Sequence, residues 1–225
     1  GGEDGDYTLN KVQMLLLHCE KAFGAAKGGE PPTREEIDQV ASLVSTITAR
    51  DMLGDSPAPS DRIVQYTDVY DGDDYTICLF QVPKGARLPM HNHPGMHVLS
   101  KVLFGELSVD AYDAVHQSDA NGQAADSPPF EVSVSVKNDS WTENGKAHYT
   151  GPREGNIHEF RAVTDCCVLD VLAPPYDFSG GRRCTYYEVE KRHDGSHWAS
   201  PVRCPPDYIT RGVAYAGVPR DVPQT

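Results

Sequence analysis

Positive charge is scarce in this chain: 20 Lys and Arg stand against 33 Asp and Glu, a formal net charge of −13 over 225 residues. That balance argues against nucleic acid or an anionic membrane as the main partner, since both call for a cationic surface. It favours a cationic group instead, such as the free amino terminus of a peptide. No apolar run approaches the roughly 20 residues of a membrane-spanning helix, and no secretory signal is visible. The six cysteines (Cys19, Cys78, Cys166, Cys167, Cys184 and Cys204) contain no Cys-x-x-Cys pair and no regular spacing, which argues against a structural zinc cluster. They read as reduced thiols, most of them small buried hydrophobes, so the expected location is the cytoplasm, the nucleus or both. A glycine-rich nucleotide fingerprint is also missing, as are internal repeats.

What is present is histidine in a telling arrangement. In Gly85-Ala-Arg-Leu-Pro-Met-His91-Asn-His93-Pro-Gly95-Met96, two imidazoles sit two residues apart in a strand-like run. Side chains at i and i+2 of a strand share a face and lie roughly 6.6 Å apart, so both rings can converge on one metal. A third histidine follows in a second strand-like run, Gly155-Asn-Ile-His158-Glu-Phe. Three neutral imidazoles without a carboxylate suit a divalent transition metal that keeps positions open for substrate. The surrounding glycines, Gly85 before His91 and Gly105 after His93, resemble the first cupin motif; Pro152, Gly155 and His158 echo the second. Cupins generally carry a glutamate ligand four or five residues after the second histidine. Here those positions hold His97 and Val98, which leaves a three-histidine site, with His97 read as a polar neighbour rather than a fourth ligand.

Two further residues stand out. Asp170 interrupts the apolar run Cys166-Cys-Val-Leu-Asp-Val-Leu-Ala, and a buried carboxylate is costly unless paired or hydrogen-bonded. It can orient a ligand histidine through the second ring nitrogen or hold a substrate ammonium; the plainer reading is an exposed strand face. Tyr176 follows Pro174-Pro175 in a turn, where its phenol either donates a hydrogen bond to a bound oxygen or thiolate or merely packs on the loop.

Periodicity places these residues in a mainly β chain. Residues 7–23 read as a helix with Leu9, Val12, Leu16, Cys19 and Phe23 on one face. Thr33 and Glu36 make a capping box for a second helix with the stripe Ile37, Val40, Val44 and Ile47. Beyond the turn-rich 54–61, strands are predicted near 62–69, 75–82, 97–103, 106–112, 131–136, 156–163, 166–172 and 184–189, punctuated as in an all-β sandwich or barrel. Residues 117–129 read as a polar loop, and the chain from Lys191 as an irregular, proline-rich cover. The expected architecture is a cupin double-stranded β-helix (jelly roll) over 55–225, with an N-terminal helical segment over 1–54 packed on it.

The chain resembles the plant cysteine oxidases and, more distantly, the cysteamine dioxygenases of animals. The likeness rests on Leu88-Pro-Met-His-Asn-His-Pro-Gly-Met, Ser100-Lys-Val-Leu-Phe-Gly-Glu-Leu, Ala111-Tyr-Asp, Gly155-Asn-Ile-His-Glu-Phe-Arg-Ala-Val-Thr, Val168-Leu-Asp-Val-Leu-Ala-Pro-Pro-Tyr and Arg182-Arg-Cys-Thr-Tyr-Tyr. It spans most of residues 60–190, and it departs from the family pattern at Gly95, at His97 and across 118–149. The resemblance implies non-haem Fe(2+) on His91, His93 and His158, and places the family's active-site aspartate, tyrosine and cysteine at Asp170, Tyr176 and Cys184. It further implies a dioxygenase that uses molecular oxygen to convert the N-terminal cysteine of protein substrates to cysteine sulfinic acid. Such an enzyme is an oxygen sensor feeding the N-degron pathway, and it is expected to be a monomer. Two alternatives stand beside it: oxidation of a small thiol such as cysteamine or free cysteine, and a non-catalytic metal-binding cupin.

Overall fold

The computed structural model describes residues 8–55, 62–116 and 127–221; part of the predicted polar loop 117–129 falls outside them. Three helices lead. Helix α1 (Lys11–Phe23) starts at a capping box between Asn10 and Gln13, and α2 (Arg34–Thr46) at the expected Thr33–Glu36 box. A five-residue α3 (Ala49–Leu53) is capped the same way by Thr48 and Asp51; it is too short for periodicity to reveal. The buried stripe of α1 is Val12, Leu15, Cys19 and Ala22, with the predicted Leu16 and Phe23 at its flank. Together with Ile37, Val40 and Val44 of α2 it joins one apolar cluster with Ile77, Leu79, Leu99, Leu169 and Val171 of the strands behind. Each such side chain contributes about 1.5–3 kcal/mol when fully buried, and this is what fixes the helices to the barrel.

Among the described residues twelve strands follow: β1 (Val64–Asp71), β2 (Thr76–Val82), β3 (Arg87–Asn92), β4 (His97–Phe104), β5 (Glu106–Ala114), β6 (Phe130–Thr142), β7 (His148–Thr150), β8 (Ile157–Ala162), β9 (Cys166–Ala173), β10 (Tyr186–Lys191), β11 (His197–Val202) and β12 (Thr210–Gly212). They form a first sheet in the order β12-β1-β2-β9-β4-β7 and a second in the order β10-β11-β6-β5-β8-β3, closed by pairing of β10 with β3. This is the double-stranded β-helix of the cupins. The helices cover the outer face of the first sheet, and the interior lies between the sheets. Strand β9 is therefore buried along its whole length: Leu169, Val171 and Ala173 meet the helices, while Asp170 and Leu172 face the interior cavity. At Gly105, between β4 and β5, φ is +80° and a Cβ would lie 2.2 Å from the Asp165 carbonyl oxygen, so only glycine fits.

Two expectations need correction. The chain beyond Lys191 is not merely an irregular cover: β11 pairs with β10 and β6, and β12 runs parallel to β1. Its prolines read as strand breakers, yet Pro201 stands opposite Tyr187 where β11 has passed the end of its pairing with β6, an edge position that tolerates a missing N–H. The strand predicted at 184–189 begins two residues later, which leaves Cys184 and Thr185 outside it.

Candidate metal centre and substrate cavity

The three histidines come from the second sheet. Strand β3 carries one extra residue relative to β8: Leu88 opposes Phe160, but His91 opposes His158. Pro89 sits in that bulge, where its missing N–H costs no ladder bond, and its carbonyl oxygen lies 2.7 Å from His91 Nδ1. The irregularity thus puts two imidazoles directly across from each other. His93 follows just past the end of β3 and is clamped by Asn156: its N–H donates to Asn156 Oδ1 at 3.2 Å, and Asn156 Nδ2 donates to its carbonyl at 2.7 Å. Asn156 is anchored in turn, because Asp113 accepts the N–H groups of Gly155 and Asn156.

One nitrogen from each ring converges, all within 4.8 Å of one another, and His93 Nε2 lies 2.9 Å from His158 Nε2. Tyr176 fixes the tautomer of His93. Its hydroxyl has a single proton, which it donates to the Asn92 carbonyl oxygen at 2.7 Å; the same oxygen, 2.8 Å from His93 Nδ1, therefore accepts a proton from that ring. The Nε2 lone pair of His93 is left facing the cluster, and the carbonyl of Pro89 does the same for His91. Burial holds all three rings below the usual imidazole range; the nearness of the other rings adds to this for His93 and His158. Converging neutral donors with no carboxylate among them fit a divalent transition metal with open positions. His97 is not among them: its Nδ1 pairs with the Tyr149 hydroxyl at 2.8 Å. Glu159, next in sequence to His158, points to the other face and pairs with Arg87 and Arg161.

Two roles stood open for Asp170, orienting a ligand histidine or holding a substrate ammonium, and the hydrogen bonds bear on the first. Among the described residues it is Tyr176, not Asp170, that orients a cluster histidine. Asp170 faces the same cavity from the opposite sheet. Burial pushes its carboxyl up to about 6, with the nearby Ser100 hydroxyl offsetting part of the rise; its Oδ1 nevertheless has no hydrogen-bond partner, nor has Ser100 Oγ. Cys184 also lines the cavity, and burial pushes its thiol up to about 11, so it stays protonated rather than competing for a cation. Sequence reasoning missed Asn92, Asn156 and Asp113 behind the cluster, although Asn92 and Asn156 both sit within its motifs. It also missed Tyr66, Asp68, Asp71 and Tyr208 on the cavity wall.

The cavity holds about 370 Å³ and is walled by apolar groups such as Phe80, Leu88, Phe160 and Leu172. Its charged side chains other than histidine are Asp68, Asp71 and Asp170, with no Lys or Arg among the lining residues.

Removing the Tyr176 hydroxyl tests its part. Tyr176→Phe keeps the ring stacked on His93 (centroids 5.5 Å apart) but frees the imidazole to change tautomer. Metal affinity, followed by competition with a chelator, is expected to fall about 10- to 100-fold; unchanged affinity would assign the tyrosine to packing alone.

The chain is similar in sequence to known proteins. The chain is 34% identical over 186 residues to plant cysteine oxidase 2 of Arabidopsis thaliana, a match covering 78% of this chain and 65% of that protein; the match thus spans less than two thirds of this plant relative. A probable 2-aminoethanethiol dioxygenase of Dictyostelium discoideum is 32% identical over 186 residues, covering 80% of this chain and 78% of its own length. Among solved structures, an RmlC-like cupin protein from Desulfovibrio desulfuricans aligns with 57% of this chain and 98% of its own, at 22% identity and a TM-score of 0.34. The PCO_ADO family model matches residues 36–217, a span that takes in the three histidines, Asp170, Tyr176 and Cys184, and this chain therefore belongs to the PCO_ADO family.

Proposed function

We propose that this protein is an iron(II)-dependent thiol dioxygenase that converts the N-terminal cysteine of protein substrates to cysteine sulfinic acid, and that it serves as an oxygen sensor feeding the N-degron pathway. One observation carries the reading. A cluster of three neutral imidazoles faces, across a largely apolar cavity, a single buried carboxylate that has an oxygen without a partner. A substrate that brings a thiol to the histidines and an ammonium to Asp170 satisfies both. Iron held by His91, His93 and His158 supplies the redox chemistry that lets dioxygen react with a thiol. The thiol R–SH and one O2 give R–SO2H, so both oxygen atoms and all electrons are accounted for without a further reductant.

The chain's own groups divide the remaining work. Pro89 and Tyr176 hold ring protons away from the cluster, Asp170 positions the ammonium, and the apolar wall excludes water. Free cysteine carries an α-carboxylate, for which this cavity offers three aspartates and no cation. A peptide amino terminus and cysteamine both lack that carboxylate. What favours the peptide is room: at about 30 Å³ per water the cavity takes roughly a dozen waters, more than a small aminothiol displaces. All six cysteines are free thiols, which supports a reducing compartment, the cytoplasm or nucleus; the protein is read as a monomer there.

Mass spectrometry on a Cys-initiating peptide tests the reaction. The expected product gains the mass of one dioxygen molecule, with both atoms from labelled oxygen gas, and acetylation of the peptide amine abolishes it. Label from water or a disulfide product would overturn the reaction; cysteamine outcompeting the peptide would assign a small-thiol enzyme.

A further inference from the structure

Asp170 belongs to a row of side chains that crosses the first sheet. Ser100 on β4, Asp170 on β9, Cys78 on β2 and Asp68 on β1 are successive register partners. Neighbouring strands lie about 4.8 Å apart, which sets Asp68 roughly 10 Å from Asp170. Asp71 follows past an irregularity in β1, opposite Thr76. Both outer acids are exposed whereas Asp170 is only 6% exposed, so the row runs from the depth of the cavity to its mouth.

Several features make this row more than a solvated face. Asp170 brings to the cavity a buried oxygen without a hydrogen-bond partner, which calls for a cationic or hydrogen-bonding occupant. Tyr66 donates its hydroxyl to Asp68, and Thr76 Oγ1 lies 3.5 Å from Asp71 Oδ1, so both outer carboxylates are steadied by neutral donors. Among the described residues neither is in an ion pair. Arg220, which shares an adjoining groove with them, gives Nη1 to the Val69 carbonyl. On the same wall, Phe178 is 65% exposed, an apolar surface suited to covering by a peptide. Arg182 and Arg183 of that loop donate Nε to the carbonyls of Pro175 and Phe178.

We propose that Asp68 and Asp71 read the residues that follow the N-terminal cysteine, favouring Lys or Arg at the second or third position and disfavouring Asp or Glu there. This rests on the reading of Asp170 as the partner of the substrate ammonium. With the cysteine seated between the histidines and Asp170, an extended chain advances about 3.3–3.6 Å per residue, so its second and third residues pass the outer part of the row. Attraction at a partly solvated mouth is modest and screened by salt, and the two acids act together. The expected effect is about three- to tenfold in kcat/KM.

The test uses the iron-loaded chain and peptides beginning Cys-Gly-Gly, Cys-Lys-Gly and Cys-Glu-Gly, with their third-position counterparts. The Lys peptides are expected to exceed the Glu peptides in kcat/KM, by a margin that shrinks at high salt and collapses in the Asp68→Asn/Asp71→Asn variant. Calorimetric binding of the matching Ser-initiating peptides, which keep the amine and lack the thiol, should follow the same order. Equal values for Lys and Glu peptides, or a preference that survives the double substitution, would overturn the assignment. If Cys-Gly-Gly is not oxidised at all, the dioxygenase reading fails. The Ser peptides still decide this one: tighter binding of Ser-Lys-Gly that is lost in the variant upholds it, and equal binding sinks it.

Discussion

Replacing His158 with Ala is expected to remove both iron and oxygen consumption. In the wild type His91 Nε2 and His93 Nε2 are freed for a cation by the Pro89 carbonyl and the Tyr176 hydroxyl, but both rings leave one strand segment, from one side. The third donor reaches them only because the bulge at Pro89 brings His158 opposite His91. Two imidazoles cannot close a site against competition from water. Iron per chain should therefore fall from near one to a small fraction, and turnover by more than about a thousandfold, well beyond the 10- to 100-fold typical of losing an outer partner. The fold should persist. His158 contributes a stack on Phe160 (centroids 4.6 Å apart), while the residues that clamp β3 and the start of β8, Asn92, Asn156 and Asp113, are untouched. A thermal melt within a few degrees of wild type, together with lost metal, separates loss of the site from loss of the fold. Full iron occupancy in this variant would remove His158 from the centre.

How much of this was legible in the sequence depends on the range of the interaction. The capping boxes of α1 and α2 lie within four residues, and the Thr33–Glu36 box stands in the sequence as written. The His91–His93 pair follows from the two-residue period of a strand, and the interruption of β9 by Asp170 from composition alone. Longer-range features left no such trace. The bulge that aligns His91 with His158 is a property of the register between two strands, whose partners here lie 67 residues apart in the chain. The contact of Tyr176 with His93 spans 83 residues, so a phenol after two prolines looked equally fit for substrate or for packing. Asp68 and Asp71 lie on a half-exposed strand, where acidic residues ordinarily signify nothing more than solvent; their meaning comes from the row they form with Asp170. Pro201 marked β11 as loop because a single sequence does not show which strand ends lie at an edge.

Asp170→Asn is expected to raise stability and cost activity at once. In the folded chain the carboxyl is held near 6 by burial, against an ordinary value of 3.8. The folded state therefore binds its proton more tightly than the unfolded state does. Stability falls as pH rises from about 4 through about 6, and above that the penalty is complete, roughly 3 kcal/mol from the size of the shift. An amide of the same shape carries no charge at any pH and escapes the penalty. On metal-free protein, where the charge of iron does not enter, the variant should melt about 5 °C or more above wild type at pH 8, with the gap closing toward pH 4. Iron binding should stay intact, because Asp170 contacts none of the three histidines through a hydrogen bond. Turnover of a Cys-initiating peptide should nevertheless drop about a hundredfold in kcat/KM, the scale of losing a desolvated charge partner. Acetylating the peptide amine should do comparable damage in wild type and little further damage in the variant, since both changes remove the same pairing. On the proposed reading such a residue is kept against the interest of the fold because its unpaired oxygen is reserved for substrate. A variant that turns over the peptide at the wild-type rate, or melts below wild type at pH 8, would deny Asp170 that role.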